Sequence, residues 1–322
     1  VPFYTLTPEM TPDYDERTSL TSYRMFFNLL ASLTLAVTAP MIRNAAVNQG
    51  FTLTQSYLII ASLFGGMGIL PFLVMFFFVH ESHPQPVRHT PKLHVLLRTV
   101  WENVPFRFAT GLYMLNWMTV DLVALMLPFF LTYWIAGGNL RATIPMFGES
   151  LALESVILGM MFSTAVLSIP IWNWLSKRTT KRWAYITGMA FWAVVQLLII
   201  FVQPGQMRLI FALAVLTGIS ISTAHVLPEA IFPDVIEWEE LRTNQRREGL
   251  YYGAKNFLRK LTGAVAIFVA LQVLGWMGYQ PPPEGAGTFQ QSPLTVQAIR
   301  YLTGPLGAVL LFSAILIAWF YP

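Results

Sequence analysis

The sequence predicts an all-α polytopic membrane protein, and three observations carry that prediction. Hydrophobic residues make up 55% of the 322 positions and charged residues only 11%, whereas a soluble domain carries about 25% charged residues. Apolar stretches long enough to cross a hydrocarbon core about 30 Å thick recur along the whole chain. Lysine and arginine collect in alternate connections, as they do in multi-spanning proteins. The net charge of +4 therefore works as an orientation signal, and no nucleic-acid motif accompanies it. Cysteine is absent, which removes disulfide frameworks, thiolate metal sites and cysteine nucleophiles.

In chain order, residues 1–10 read as the end of a helix whose body would precede Val1, since the chain opens without methionine or a signal peptide. Asp13, Asp15, Glu16 and Arg17 form a short charged connection, with the acids suited to the N-terminus of the helix that follows. That helix, about 17–43, has one deep charge, Arg24. The next span lies within 51–79, where Gly65, Gly66 and Gly68 permit close helix approach. Residues 80–106, with Pro84, Pro86, Pro91 and four histidines, read as a central loop; its HESH segment lacks a third ligand at defined spacing and reads as loop composition. Further spans follow at about 107–136, 152–176, 183–204, 208–231, 249–278 and 297–321.

The basic connections are the central loop (Arg88, Lys92, Arg98), the segment with Lys177, Arg178, Lys181 and Arg182, and the segment with Arg242, Arg246 and Arg247. The alternate ones hold only Arg43, Arg141, Arg208 and Arg300. The expected orientation has the basic connections in the cytoplasm and the chain in a cell (inner) membrane.

The most informative stretch is 233–260, PDVIEWEELRTNQRREGLYYGAKNFLRK, expected to be a charged loop that turns into a helix. If that helix enters hydrocarbon near Gly249, Lys260 lies roughly 16 Å in at 1.5 Å per residue, where a charge normally faces a cavity or a partner. Tyr252, Asn256 and Lys260 share one face, predicted to line water, with Lys255 and Arg259 on the neighbouring stripe. The order Asp234, Glu237, Glu240, Arg246, Glu248, Tyr252, Lys260 resembles the loop and eleventh helix of the glycoside-pentoside-hexuronide:cation symporters, the melibiose permease-like branch of the major facilitator superfamily. The opening VPFYTLTPEMTPDYDERTSLTSYR is similar to that family's passage from the fourth helix into the fifth.

The resemblance implies a partial major facilitator fold. Residues 1–79 would end the N-terminal bundle, 80–106 would be the central cytoplasmic loop, and 107–322 would be a complete C-terminal six-helix bundle, with the first three to four helices lacking. It also implies a substrate site. Lys260 matches the family's eleventh-helix lysine, Asn256 a sugar-contacting position, Arg24 a fifth-helix arginine lining the cavity, and Tyr4 an aromatic residue that stacks on sugar. Arg259 stands where the family has a small apolar residue, and it either binds solute or pairs with an acid. Asp121, a lone carboxylate in an apolar span, either neutralises Arg259 or Lys260 or binds solute directly. His225 and Glu229, near Pro228, are weaker candidates, and Lys255 and Glu229 are expected nearer the cytoplasmic end. Arg17, Asp234, Glu237, Glu240, Arg246 and Glu248 resemble the family's ionic lock, and SKRTTKR resembles the short basic loop of facilitators, with Thr179 and Thr180 where glycine is usual.

The expected function is secondary active, Na⁺- or H⁺-coupled symport of a sugar, glycoside or uronide, by a monomer in the lipid bilayer. The coupling ion's main ligands would lie outside this chain. Alternatives are transport of another anionic or amphiphilic solute such as a lysophospholipid, and an inactive truncated fragment. No cofactor or nucleic-acid partner is expected, and an enzyme is disfavoured because neither HExxH nor cysteine is present.

Overall fold

The computed structural model describes residues 14–78, 93–146, 149–243, 248–283 and 286–321. It is built almost wholly of helices: α1 (Tyr14–Asn48), α2 (Leu53–Phe78), a short α3 (Leu93–Glu102), α4 (Val104–Phe129), α5 (Leu153–Arg178), α6 (Lys181–Leu198), α7 (Met207–Thr243), α8 (Glu248–Trp276), α9 (Pro293–Thr303) and α10 (Pro305–Trp319). Among the described residues, eight helical segments are long and apolar enough to cross a membrane. The sixth, seventh and eighth begin near the expected positions, but α7 does not stop where it was expected to.

α4 lies at the centre of the larger bundle, against α7, α8, α9 and α10, while α7 packs on α5 and α6. α1 lies against α5 and α7, and α2 against α1. The core between them is apolar and aromatic, with Trp192, Tyr185, Phe106 and Phe130 fully buried. Asn103 caps α4, its Oδ1 accepting from the Phe106 amide, which satisfies one of the four donors a helix start leaves open.

The structure adds to or corrects several sequence expectations. Gly65, Gly66 and Gly68 have nothing within 4 Å of where a Cβ would stand, so among the described residues no helix approaches there. The central connection contains α3, an amphipathic helix against α4 and α8. α4 runs on through a π-helical turn, Phe130–Ile135. The connection after it forms a hairpin of β1 (Thr143–Met146) and β2 (Glu149–Ala152), antiparallel with Thr143 opposite Ala152. The last span is two helices that part at Gly304, where a Cβ would meet the Gln196 carbonyl at 2.7 Å.

The largest correction concerns 233–243, expected as loop and found as helix. Pro228 and Pro233 both lie inside α7. A proline removes a donor and frees the carbonyl four residues earlier, which is tolerated in a membrane bundle when a neighbour satisfies that carbonyl. Asn116 does so for Pro228, its Nδ2 donating to the Ala224 carbonyl at 2.9 Å. With 37 residues, α7 is about 55 Å long at 1.5 Å per residue and outruns the bilayer core. Asp234, Glu237 and Glu240 therefore ride on a helical extension.

Candidate functional site

Three helices each carry polar groups one turn apart, and the bundle turns these stripes toward one another. α4 contributes Tyr113, Trp117 and Asp121; α7 contributes His225 and Glu229; α8 contributes Lys255 and Arg259. Residues four apart share a helix face, so the stripes meet as a ladder inside otherwise apolar spans.

The first rung centres on Glu229, which accepts from Lys255 Nζ (2.8 Å), Arg24 Nη2 (2.9 Å) and the Tyr113 hydroxyl (2.9 Å). The Lys255 side chain is fully buried and that of Glu229 is 5% exposed. Aromatic faces enclose the ammonium, with Phe232 at 4.7 Å, Tyr113 at 5.0 Å and Tyr252 at 5.1 Å from Nζ to ring centroid. This environment supplies the attraction and the cation–π contacts that offset desolvating a lysine. Arg24 comes from α1, so the rung ties α1 to α7 and α8.

The middle rung is His225 against Trp117, ring centroids 4.9 Å apart, with Arg259 Cζ 4.2 Å from the Trp117 ring centroid. His225 Nδ1 lies 2.9 Å from the Ile221 carbonyl and donates to it. The third rung is a bidentate pair: Arg259 Nη1 donates to Asp121 Oδ2 at 2.6 Å and Nη2 to Oδ1 at 2.8 Å. The side chains of this pair are 23% and 19% exposed. Gly263 admits it, because a Cβ there would lie 2.5 Å from Asp121 Oδ2 and 2.8 Å from Arg259 Nη1.

At the end of the ladder nearer α3, Asn103 Nδ2 donates to the buried Glu239 carboxylate (3.1 Å) and approaches the Tyr251 hydroxyl (3.2 Å). Lys181, from the basic connection, donates to both Asp234 oxygens (3.0 and 2.9 Å) and to the Ala230 carbonyl (2.9 Å).

The structure thus brings Arg24, Asp121 and Arg259 into one cluster. Lys260 is exposed, has no ion-pair partner among the described residues, and sits outside the ladder; Asn256 beside it is half-buried. The partnered stripe of α8 is the neighbouring one, Lys255 and Arg259, because that is the face packed on α4. Glu229 and Lys255, expected nearer the cytoplasmic end, are buried together in the first rung. Of the expected gating residues, Asp234, Glu237 and Glu240 lie on α7. Tyr4 and Arg246 fall outside the described residues, as do three of the four loop histidines, His80, His83 and His89; Arg17, Glu248 and His94 fall on helices, but their side chains are outside the description. Sequence reasoning passed over Tyr113, Trp117, Asn103 and Glu239, and it named Lys255 without placing it in the site. The i, i+4 spacing of Lys255 with Arg259 and of His225 with Glu229 was the available signal.

Among the described residues, eight membrane-length apolar helices with paired charges between several of them define a polytopic helical membrane protein. All of the chain, residues 1–322, matches the family described as MFS/sugar transport protein, and the chain belongs to that family. It is 26% identical over 398 residues to an uncharacterized symporter of Synechocystis sp., covering 100% of this chain and 71% of that protein. It is 26% identical over 357 residues to the sodium-dependent lysophosphatidylcholine symporter 1 of Gallus gallus, covering 100% of this chain but 64% of that protein. Among solved structures it is similar to a bacterial homologue of the iron transporter ferroportin in an outward-facing state, with TM-score 0.63, 14% identity, and coverage of 99% of this chain and 68% of that one. That last likeness concerns the fold alone.

Proposed function

We propose that this chain forms part of a cation-coupled secondary transporter that works by alternating access and carries a solute with an anionic group. The supporting observation is the charge pattern on α8. Arg259 and Lys260 are adjacent, Arg259 is held by Asp121 with part of both side chains exposed, and Lys260 is exposed without an ion-pair partner among the described residues. A charge at such depth costs roughly 2.5–3.5 kcal/mol on insertion scales and is retained where it meets a solute, an ion or a partner.

The solute contact is assigned to Lys260, with Asn256 on the same face of α8, while Arg24 is engaged by Glu229 in the ladder. Arg259 was expected either to bind solute or to pair with an acid, and Asp121 occupies its fork, so an anion reaches Arg259 only by displacing Asp121. In this proposal the protein belongs with the melibiose permease-like branch, uses Na⁺ or H⁺, performs no covalent chemistry and acts as a monomer. Residues 1–79 and 107–322 serve as parts of two bundles joined by 80–106, with the basic connections cytoplasmic in a cell membrane. The names of relatives that move lysophosphatidylcholine favour an amphiphilic anion-bearing solute over a neutral sugar.

The test is uptake by proteoliposomes of the full-length protein, comparing a neutral glycoside, the matching glucuronide and lysophosphatidylcholine under Na⁺ or pH gradients. Lys260→Ala is expected to abolish accumulation of the preferred solute with unchanged protein insertion. Wild-type accumulation by the variant, or preference for the neutral glycoside, overturns the proposal.

A further inference from the structure

We infer that the end of the bundle opposite the Asn103–Glu239 contact holds a second site, built for an oxyanion on a small hydroxylated body and centred on Arg300. Four segments meet there: the π-helical turn of α4, the turn at 136–140, the connection from α6 to α7, and the connection leading into α9. Two main-chain bonds strap the turn at 136–140 to the connection leading into α9, Phe289 N–H to the Gly138 carbonyl (2.8 Å) and Leu140 N–H to the Gly287 carbonyl (3.1 Å). Gly137 and Gly138 turn the chain with φ of +59° and +87°, a conformation glycine adopts without cost. Single π-helical turns inside α-helices recur at functional sites.

These segments enclose a cavity of about 400 Å³, lined by Tyr133, Trp134, Gln290, Gln291, Gln297 and Arg300 among others. That volume is in the range of small-molecule sites, about 300–1,000 Å³. No acid is among its described lining residues. Arg300 stacks on Trp134, Cζ 3.9 Å from the ring centroid. Both side chains are pinned by main-chain carbonyls: Arg300 Nη2 donates to Ile200 (2.6 Å) and Trp134 Nε1 to Val202 (2.8 Å). Among the described residues no carboxylate lies within ion-pair distance of Arg300, and its buried Nε has no hydrogen-bond partner.

A guanidinium fixed face-on to an indole still presents its edge, which suits bidentate contact with phosphate or carboxylate. Gln290 and Gln297 offer carboxamide donors and acceptors to hydroxyl groups, while Gln291 is held by the Gln280 main chain, its Nε2 donating to the carbonyl (2.6 Å) and its Oε1 accepting from the amide (3.1 Å). A polyol phosphate combines these features, and it has two sources, a free solute or a glycerophospholipid headgroup at the membrane surface. This site shares no residue with the ladder and does not depend on Lys260.

The experiment uses the full-length protein in phosphatidylcholine nanodiscs, titrated with sn-glycerol 3-phosphate, with glycerol as the neutral control. Intrinsic fluorescence and calorimetry are read together, since Trp134 is one of 10 tryptophans and Trp134→Phe identifies its signal. A second arm repeats the fluorescence in nanodiscs containing phosphatidylglycerol. Saturable, phosphate-dependent binding that falls at least tenfold in Arg300→Gln and severalfold in Gln297→Leu, with Lys260→Ala unchanged, supports a free-solute site. A Trp134 response to phosphatidylglycerol alone, lost in both variants, supports the lipid source. Gln297→Leu leaves the Ile200 contact intact and so keeps the test valid if Arg300→Gln misfolds. Absence of both responses, binding indifferent to both variants, or binding lost in Lys260→Ala overturns the inference.

Discussion

Replacing Glu229 by glutamine keeps the shape of the side chain and removes a charge that Arg24, Lys255 and Tyr113 all engage. Lys255 is fully buried, so its ammonium loses an acid partner that water cannot replace. Removing one partner of a buried pair costs about 3–5 kcal/mol, because the other charge is left uncompensated. Lys255→Met behaves differently. It leaves Glu229 with Arg24 and the Tyr113 hydroxyl, and it removes the lysine's own desolvation cost. The loss then approaches that of one hydrogen bond to a charged group, about 1.5–3 kcal/mol, less what the methionine regains by packing. The double variant is expected to be more stable than Glu229→Gln alone, since it removes the buried cation with its acid. At roughly 2–4 °C per kcal/mol, Glu229→Gln melts about 6–20 °C below wild type in detergent, followed by tryptophan fluorescence. A Glu229→Gln melting point within about 2 °C of wild type, or a double variant below Glu229→Gln, refutes the reasoning.

Two further expectations follow from contacts around the ladder. Gly263→Ala forces the Asp121–Arg259 pair apart, because the new methyl would stand 2.5 Å from Asp121 Oδ2; transport is expected to fall tenfold or more with expression retained, and a variant with wild-type uptake removes the pair from the mechanism. Asp234→Asn releases Lys181 from a bond bridging α6 and α7, so single cysteines introduced near that end of the bundle, in a chain with none of its own, should change their labelling rates. Unchanged labelling assigns that ion pair to surface stability, where exposed pairs contribute only about 0–1 kcal/mol.

The spans were legible because hydrocarbon imposes a long apolar window on every crossing helix, whatever its partners. The stripes within single helices were legible for a similar reason, since 3.6 residues per turn fixes which side chains align. Which stripes face each other was not. Glu229 and Lys255 are 26 residues apart, and Asp121 and Arg259 are 138 apart, so nothing local pairs them. Lys260 drew attention because it combines depth with a family match, whereas the packing of α8 on α4 turns Lys255 and Arg259 inward. The helix beyond Pro233 was hidden because proline reads as a stop, and what permits it is distant: Asn116 on α4 takes the carbonyl that Pro228 frees. The hairpin at 143–152 depends on cross-strand pairing within a connection that reads only as a polar break between spans.

The two prolines of α7 also have a mechanical consequence. Within six residues the helix lacks two of the axial bonds that resist bending, so its flexural stiffness is lowest around Glu229 and rises again beyond Asp234. The last third of α7 can then swing as a stiff arm from a compliant joint, and the joint coincides with the carboxylate that binds Arg24 and Lys255. Asn103 grips this arm at Glu239, about 15 Å along it at 1.5 Å per residue. A small angular change at the joint is therefore magnified into ångströms of travel at the grip, and tension at the grip is returned to the joint as torque.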